Sequence, residues 1–193
     1  VPGVVGERAA KCTAIRRAIV PRQHLDAVAS KLKARLAKTV VGDPSNESVR
    51  MGALASHAQQ SDVADRVATL MQGSELVYGA RDGFAPIGDG VAEGSFFSPM
   101  LLLSRHPLTH DAVHDVEAFG PVSTLMPYDG LDEAIALAAR GKGSLVGTLV
   151  TRDPKIAARV IPVAAALHGR LLILDREAAA ESTGHGSPLP LLK

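Results

Sequence analysis

The one cysteine of this 193-residue chain, Cys12, sits in a basic stretch, with Arg8 and Lys11 before it and Arg16 and Arg17 after it. Neighbouring positive charge stabilises a thiolate, and the thiolate is the form that attacks a carbonyl carbon. Cys12 is therefore a candidate covalent nucleophile, although a lone cysteine taken without context is more often a small side chain packed in a core. In Glu117-Ala118-Phe119-Gly120-Pro121 a carboxylate and an aromatic ring stand directly before a predicted strand. At a sheet edge, where α/β proteins bind ligands, such a carboxylate can accept hydrogen bonds from both hydroxyls of a ribose. The plainer alternative is a Gly-Pro turn with Phe119 in the core and Glu117 in water.

Other groupings of polar residues and glycines stand elsewhere in the chain. His106, His110 and His114 recur every fourth residue beside Asp111 and Asp115, a spacing that on a helix aligns imidazoles for a metal. Pro107 interrupts any helix through all three and no H-E-x-x-H pattern is present, so no metal site is expected and the stretch reads as a solvated surface segment. The glycines at 88, 90 and 94 do not make a dinucleotide fingerprint, and Gly141-Lys142-Gly143-Ser144 lacks P-loop spacing; both read as turns. His185, in a tail rich in Gly, Ser and Pro, is either a polar group facing a ligand or a merely exposed histidine.

The elements that position these groups follow from hydrophobic period and punctuation. Residues 13–20 read as a strand ended by Pro21. Leu25, Val28, Leu32 and Leu36 predict a helix, and Val63, Val67, Leu70 and Met71 a second one over 59–71, stopped by Gly73. Strands are predicted at 75–78, 96–103 and 122–127, with a glycine-punctuated loop over 79–95. The last third alternates regularly: helix 131–140, strand 144–151, helix 154–167, strand 170–174. Asp153 before Pro154 marks that helix's start, and Gly169 is expected to stop it. Such alternation calls for a mostly parallel sheet with helices on its faces, an α/β fold.

Composition narrows the partners. Lys+Arg 21 against Asp+Glu 20 leaves a net charge of +1, so no global field draws the chain onto nucleic acid or an anionic membrane. Apolar runs such as 100–103 and 160–167 are far shorter than the roughly 20 residues of a membrane span. A single cysteine excludes an internal disulfide framework and fits a reducing, cytoplasmic compartment. Residues 1–8 lack the pattern of a signal peptide. The chain is read as one domain over 1–193, with 1–10 an irregular leader.

Five stretches in order carry a resemblance: Lys11-Cys12-Thr13-Ala14-Ile15-Arg16-Arg17, Gly42-Asp43-Pro44, Met51-Gly52-Ala53-Leu54, the Glu117 to Pro121 run, and Glu181-Ser182-Thr183-Gly184-His185-Gly186-Ser187-Pro188-Leu189-Pro190. Together they resemble the catalytic domain of the aldehyde dehydrogenase superfamily, and the closing run resembles the branch handling coenzyme A-linked semialdehydes from aromatic-compound breakdown, as in phenylacetate degradation. The resemblance implies that Cys12 is the catalytic thiol, that Glu117 holds the nicotinamide ribose and that Phe119 steadies the nicotinamide of NADP or NAD. It implies a small aldehyde as substrate, a homo-oligomeric parent enzyme, and a cofactor domain upstream carrying an oxyanion asparagine and a water-activating glutamate. Neither of those motifs lies in this sequence, so the chain by itself is expected to turn over little. Ala9-Ala10 stand where the family shows Gly-Gln, a departure that bears on the loop geometry before Cys12.

Overall fold

In chain order the elements are β1 (Arg17–Pro21), α1 (Leu25–Leu36), α2 (His57–Leu70), β2 (Glu75–Tyr78), β3 (Met100–Leu103), α3 (Ala112–Asp115), β4 (Val122–Tyr128), α4 (Leu131–Ala139), β5 (Ser144–Val150), α5 (Pro154–Leu167), β6 (His168–Leu174) and α6 (Arg176–Glu181). The structure, a computed structural model, describes residues 12–80 and 84–181, without the side chains of 179–181. Four strands form one sheet in the order β1-β4-β3-β2, with β1, β4 and β3 mutually parallel and β2 antiparallel at the edge. Six of the seven β4 residues are buried. A strand covered on both faces needs small or apolar side chains at successive positions, and β4 has them.

Each face has its own helix. Leu25, Leu32 and Leu36 of α1 pack with Val20, Leu101, Leu103 and Leu125. Val63, Val67 and Leu70 of α2 pack with Met100, Leu102, Val122 and Met126. Odd and even residues of β3 and β4 therefore point to opposite helices, as the pleat requires. The predicted α/β arrangement of a mostly parallel sheet with helices on both faces is what forms.

β5 and β6 do not join that sheet. They make a separate parallel pair, connected by α5. Asp153 caps α5 as predicted, accepting from the Lys155 N–H at 2.8 Å, with Pro154 in the first turn. Gly169 does not stop the helix. α5 passes straight into β6 at an extended His168 (φ −133°, ψ 133°), and Gly169 lies inside the strand, where a Cβ would stand 2.9 Å from the Leu145 carbonyl. The glycine is there for close strand approach rather than for a left-handed cap.

Two other strands are shorter than predicted. β1 starts at Arg17, because residues 12–14 form a turn and bend instead of extended strand. Of residues 96–103 only Met100–Leu103 pair; the ladder opens at Met100 N–H to Pro121 O, 2.8 Å, directly after Pro99, which has no N–H to offer. α2 starts two residues before the predicted 59 because Ser56 caps it, accepting from the Gln59 N–H at 3.1 Å.

Candidate active site

Two chain limbs meet at one end of the main sheet. The Cys12 limb runs into the amino end of β1, and the Glu117 limb runs into the amino end of β4. Because β1 and β4 are parallel neighbours, with Arg17 opposite Thr124, both limbs must project from the same edge. Ser123 Oγ donates to Ile15 O at 2.5 Å and the Thr124 N–H to Arg16 O at 2.9 Å, which seats the first limb on β4. Ala14, Arg16, Glu117, Phe119, Gly120 and Val122 border a small recess of about 20 Å³ between them. The edge is the amino one, opposite to the carboxyl edge where open parallel sheets usually hold ligands. At the carboxyl edge the ends of β1 and β4 carry an ion pair, Arg22 to Asp129 at 2.8 Å.

Cys12 is exposed. The thiol is thus not the packed core residue that a lone cysteine so often is. Glu117 is exposed as well, and Phe119 keeps 39% of its surface, so the ring is not a core residue either. Gln59 of α2 holds the loop from the side, its Nε2 donating to Phe119 O at 2.7 Å. His185 falls outside the described residues, as do Lys11 and residues 1–10.

The arginines that follow the thiol in sequence make their hydrogen bonds to other limbs of the chain. The Arg16 guanidinium donates to His114 O and Val116 O at 3.4 and 3.5 Å, long bonds to the limb that leads to Glu117. The Arg17 guanidinium donates to Leu137 O at 2.9 Å and Ala138 O at 3.3 Å, where the negative end of the α4 dipole welcomes a cation. It also donates to His114 Nδ1 at 3.1 Å. Burial, with Arg16 beside it, lowers the Arg17 guanidinium to about 10. These arginines fasten limbs together.

The histidine stretch is not a solvated segment throughout. His114 is buried on α3, with Nε2 2.7 Å from Pro107 O and Nδ1 facing Arg17. The carbonyl needs a donor and Arg17 an acceptor, which fixes a neutral imidazole protonated on Nε2. Burial holds its pKa below the ordinary value, and the positive Arg17 and Arg140 act in the same direction. His110 lies 3.2 Å from Ser104 Oγ with its ring over Gly73, while His106 is exposed. Apolar periodicity gave no sign that one of the three turns inward.

A second cleft, of about 290 Å³, opens on the other side of the first turn of α2, between His57, Gln60, Phe84, Phe96 and Phe97. Gln60 Nε2 donates to Phe96 O at 2.6 Å, so one helical turn grips the loops beside both cavities. Sequence reasoning missed this cleft, and it missed Gln59; the S-x-x-Q capping pattern of Ser56 and Gln59 is the signal that finds the latter.

An α/β domain with a thiol limb and a carboxylate-aromatic limb at one sheet edge is the class these features define. The aldehyde dehydrogenase family model matches residues 1–173, and the chain belongs to that family. It is 41% identical over 180 residues to the 3,4-dehydroadipyl-CoA semialdehyde dehydrogenase of Aromatoleum evansii, covering 93% of this chain and 35% of that protein. It is 48% identical over 143 residues to the protein MaoC of Klebsiella aerogenes, covering 74% of this chain and 41% of that protein. The chain thus spans about a third to two fifths of these relatives. An aldehyde dehydrogenase of Pseudomonas syringae solved with NAD+ and octanal superposes with a TM-score of 0.73 at 26% identity, covering 94% of this chain and 34% of that one. The betaine aldehyde dehydrogenase of Staphylococcus aureus, solved with NAD+, gives 0.73 at 25% identity, covering 86% and 32%. Among the described residues, no helix is long and apolar enough to cross a membrane.

Proposed function

We propose that this chain supplies the thiol-bearing half of an NAD(P)-dependent aldehyde dehydrogenase that oxidises a coenzyme A-linked semialdehyde to the carboxylic acid. The observation that carries the reading is the convergence of the exposed Cys12 limb with Glu117 and Phe119 at one edge of the sheet. Cys12 as thiolate adds to the aldehyde carbon, forming a C–S bond while the carbonyl oxygen takes the negative charge. In this reading the Cys12 backbone N–H supplies one donor to that oxygen. Loss of two electrons and the aldehydic hydrogen leaves a thioester on Cys12, and water then adds to the thioester carbon, releases the acid and returns the thiol.

The residues present fit one end of a dinucleotide. The exposed Glu117 carboxylate can accept from ribose hydroxyls, and the half-exposed Phe119 ring offers an apolar face to a nicotinamide. Bound there, the nicotinamide supplies the acceptor for the two electrons. A recess of about 20 Å³ is too small for a dinucleotide, so the rest of the cofactor site lies outside these limbs in this reading. The family resemblance, rather than the recess, has the chain alone turn over little and the parent enzyme act as a homo-oligomer. The coenzyme A-linked substrate is supported by the name of the Aromatoleum evansii relative.

Alkylation of Cys12 by iodoacetamide at neutral pH, followed by mass spectrometry, tests the retained site. A rate well above that of a free cysteine peptide, slowed by NADP, is the expected result. An ordinary slow thiol indifferent to NADP and NAD overturns it and leaves a catalytically silent domain of the same family as the better account. Robust NADP reduction by this chain with any aldehyde would instead overturn the claim that it works poorly alone.

A further inference from the structure

Gln59 is the third residue of α2 and uses both ends of its side-chain amide. Oε1 accepts the Ala55 backbone N–H at 2.9 Å, and Nε2 donates to the Phe119 carbonyl at 2.7 Å. With Ser56 Oγ holding the Gln59 N–H, this is a capping box whose glutamine reaches one residue further back than usual. Since Oε1 is committed to an N–H, the donor end must face a carbonyl, and turning the amide over would break both bonds. The Phe119 carbonyl shares a planar peptide unit with the Gly120 N–H. That N–H donates to Ala118 O at 2.8 Å, so the unit is fastened along both edges. It also lies against α2, where a Cβ on Gly120 would stand 2.9 Å from both methyls of Val63. Rotation of this peptide plane changes ψ of Phe119 and swings the loop on which the ring and Glu117 stand.

We propose that Gln59 is a positioning residue for the candidate cofactor loop, locking the Phe119–Gly120 peptide plane onto α2 and thereby setting where Phe119 and Glu117 face the site. The functional part of this inference rests on reading that loop as the nicotinamide end of the cofactor site; the brace itself does not. Two substitutions separate helix capping from loop bracing. Gln59→Glu keeps the acceptor for Ala55 but sets a carboxylate against the Phe119 carbonyl. Gln59→Lys keeps a donor and loses the acceptor.

Hydrogen exchange of the Gly120 amide, thermal unfolding and NADP titration are to be measured on the full chain. Gln59→Glu is expected to leave Tm unchanged, to speed Gly120 exchange by about tenfold or more, and to weaken NADP binding while the Cys12 alkylation rate without cofactor stays the same. Gln59→Lys is expected to lower Tm by about 3 °C with Gly120 exchange still slow. Unchanged Gly120 exchange in a folded Gln59→Glu chain overturns the brace. If Gln59→Glu fails to fold, the lysine variant decides: fast Gly120 exchange there overturns the brace, and slow exchange supports it. Faster exchange in Gln59→Glu together with no NADP or NAD binding by the unsubstituted chain supports the brace and overturns its cofactor-positioning role in this chain.

Discussion

The four-stranded sheet and the β5–β6 pair are both built from apolar strands, yet they differ in what covers them. In β3 all four residues are buried, and Leu101 and Leu102 expose nothing. In β5 none is buried; Leu145 and Val150 keep 61% and 60% of their surface, and Ile173 of β6 keeps 41%. β-branched residues and turns mark a strand locally, whereas its burial depends on elements brought from elsewhere in the chain. A two-stranded sheet by itself has little independent stability. The cohesion of the described structure is therefore concentrated in β1 to β4 with α1 and α2.

The contrast can be broken most directly at its centre. Leu125→Ala, in the cluster under α1, is expected to cost roughly 2–5 kcal/mol by urea unfolding, through lost burial and the cavity left behind; a cost under about 1 kcal/mol would mean that the main sheet is not the stable part. His114 sharpens the comparison, since its partner Arg17 also reaches α4, the helix that leads on to β5. Its folded pKa is depressed, so the unfolded chain binds the extra proton first. The stability it contributes is complete above about pH 6.5, the unfolded value, and is lost as pH falls through the lower folded value. Tm should fall between pH 7.5 and 5, and His114→Gln should flatten that slope; an unchanged slope would show that the imidazole is not held neutral. The smallest effect belongs to Leu145→Ser, expected within about 0.5 kcal/mol of the parent because the side chain stands in water. A large loss there would show that β5 is covered in solution.

What the sequence disclosed and what it hid divide along the range of the interactions. Asp153-Pro154 and the apolar period gave α5 from Pro154 to Leu167, both ends correct, because capping and period are local signals. Gly169 misled because close approach to Leu145 O is a contact across strands, invisible along the chain. Residues 96–99 look as strand-like as 100–103, but Phe96 has its backbone partners elsewhere: its N–H donates to Gly94 O and its carbonyl accepts from Gln60 Nε2. At the candidate site the runs around Cys12, Glu117 and Phe119 stand out as motifs, and the structure sets Ala14 and Arg16 beside Glu117 and Phe119. The inward turn of His114, the fastening role of Arg16 and Arg17, and the reach of Gln59 to Phe119 each join residues 60 or more positions apart, which no spacing rule encodes.

The direct passage from α5 into β6 has one more consequence. With no linker between Leu167 and His168, and with His168 Nδ1 2.7 Å from Ala164 O at the helix end, the junction has no slack. One residue added there would invert the side-chain alternation of the whole strand against β5. Tags or epitopes belong instead in the exposed glycine turn around 142–143, where an extra residue shifts no register.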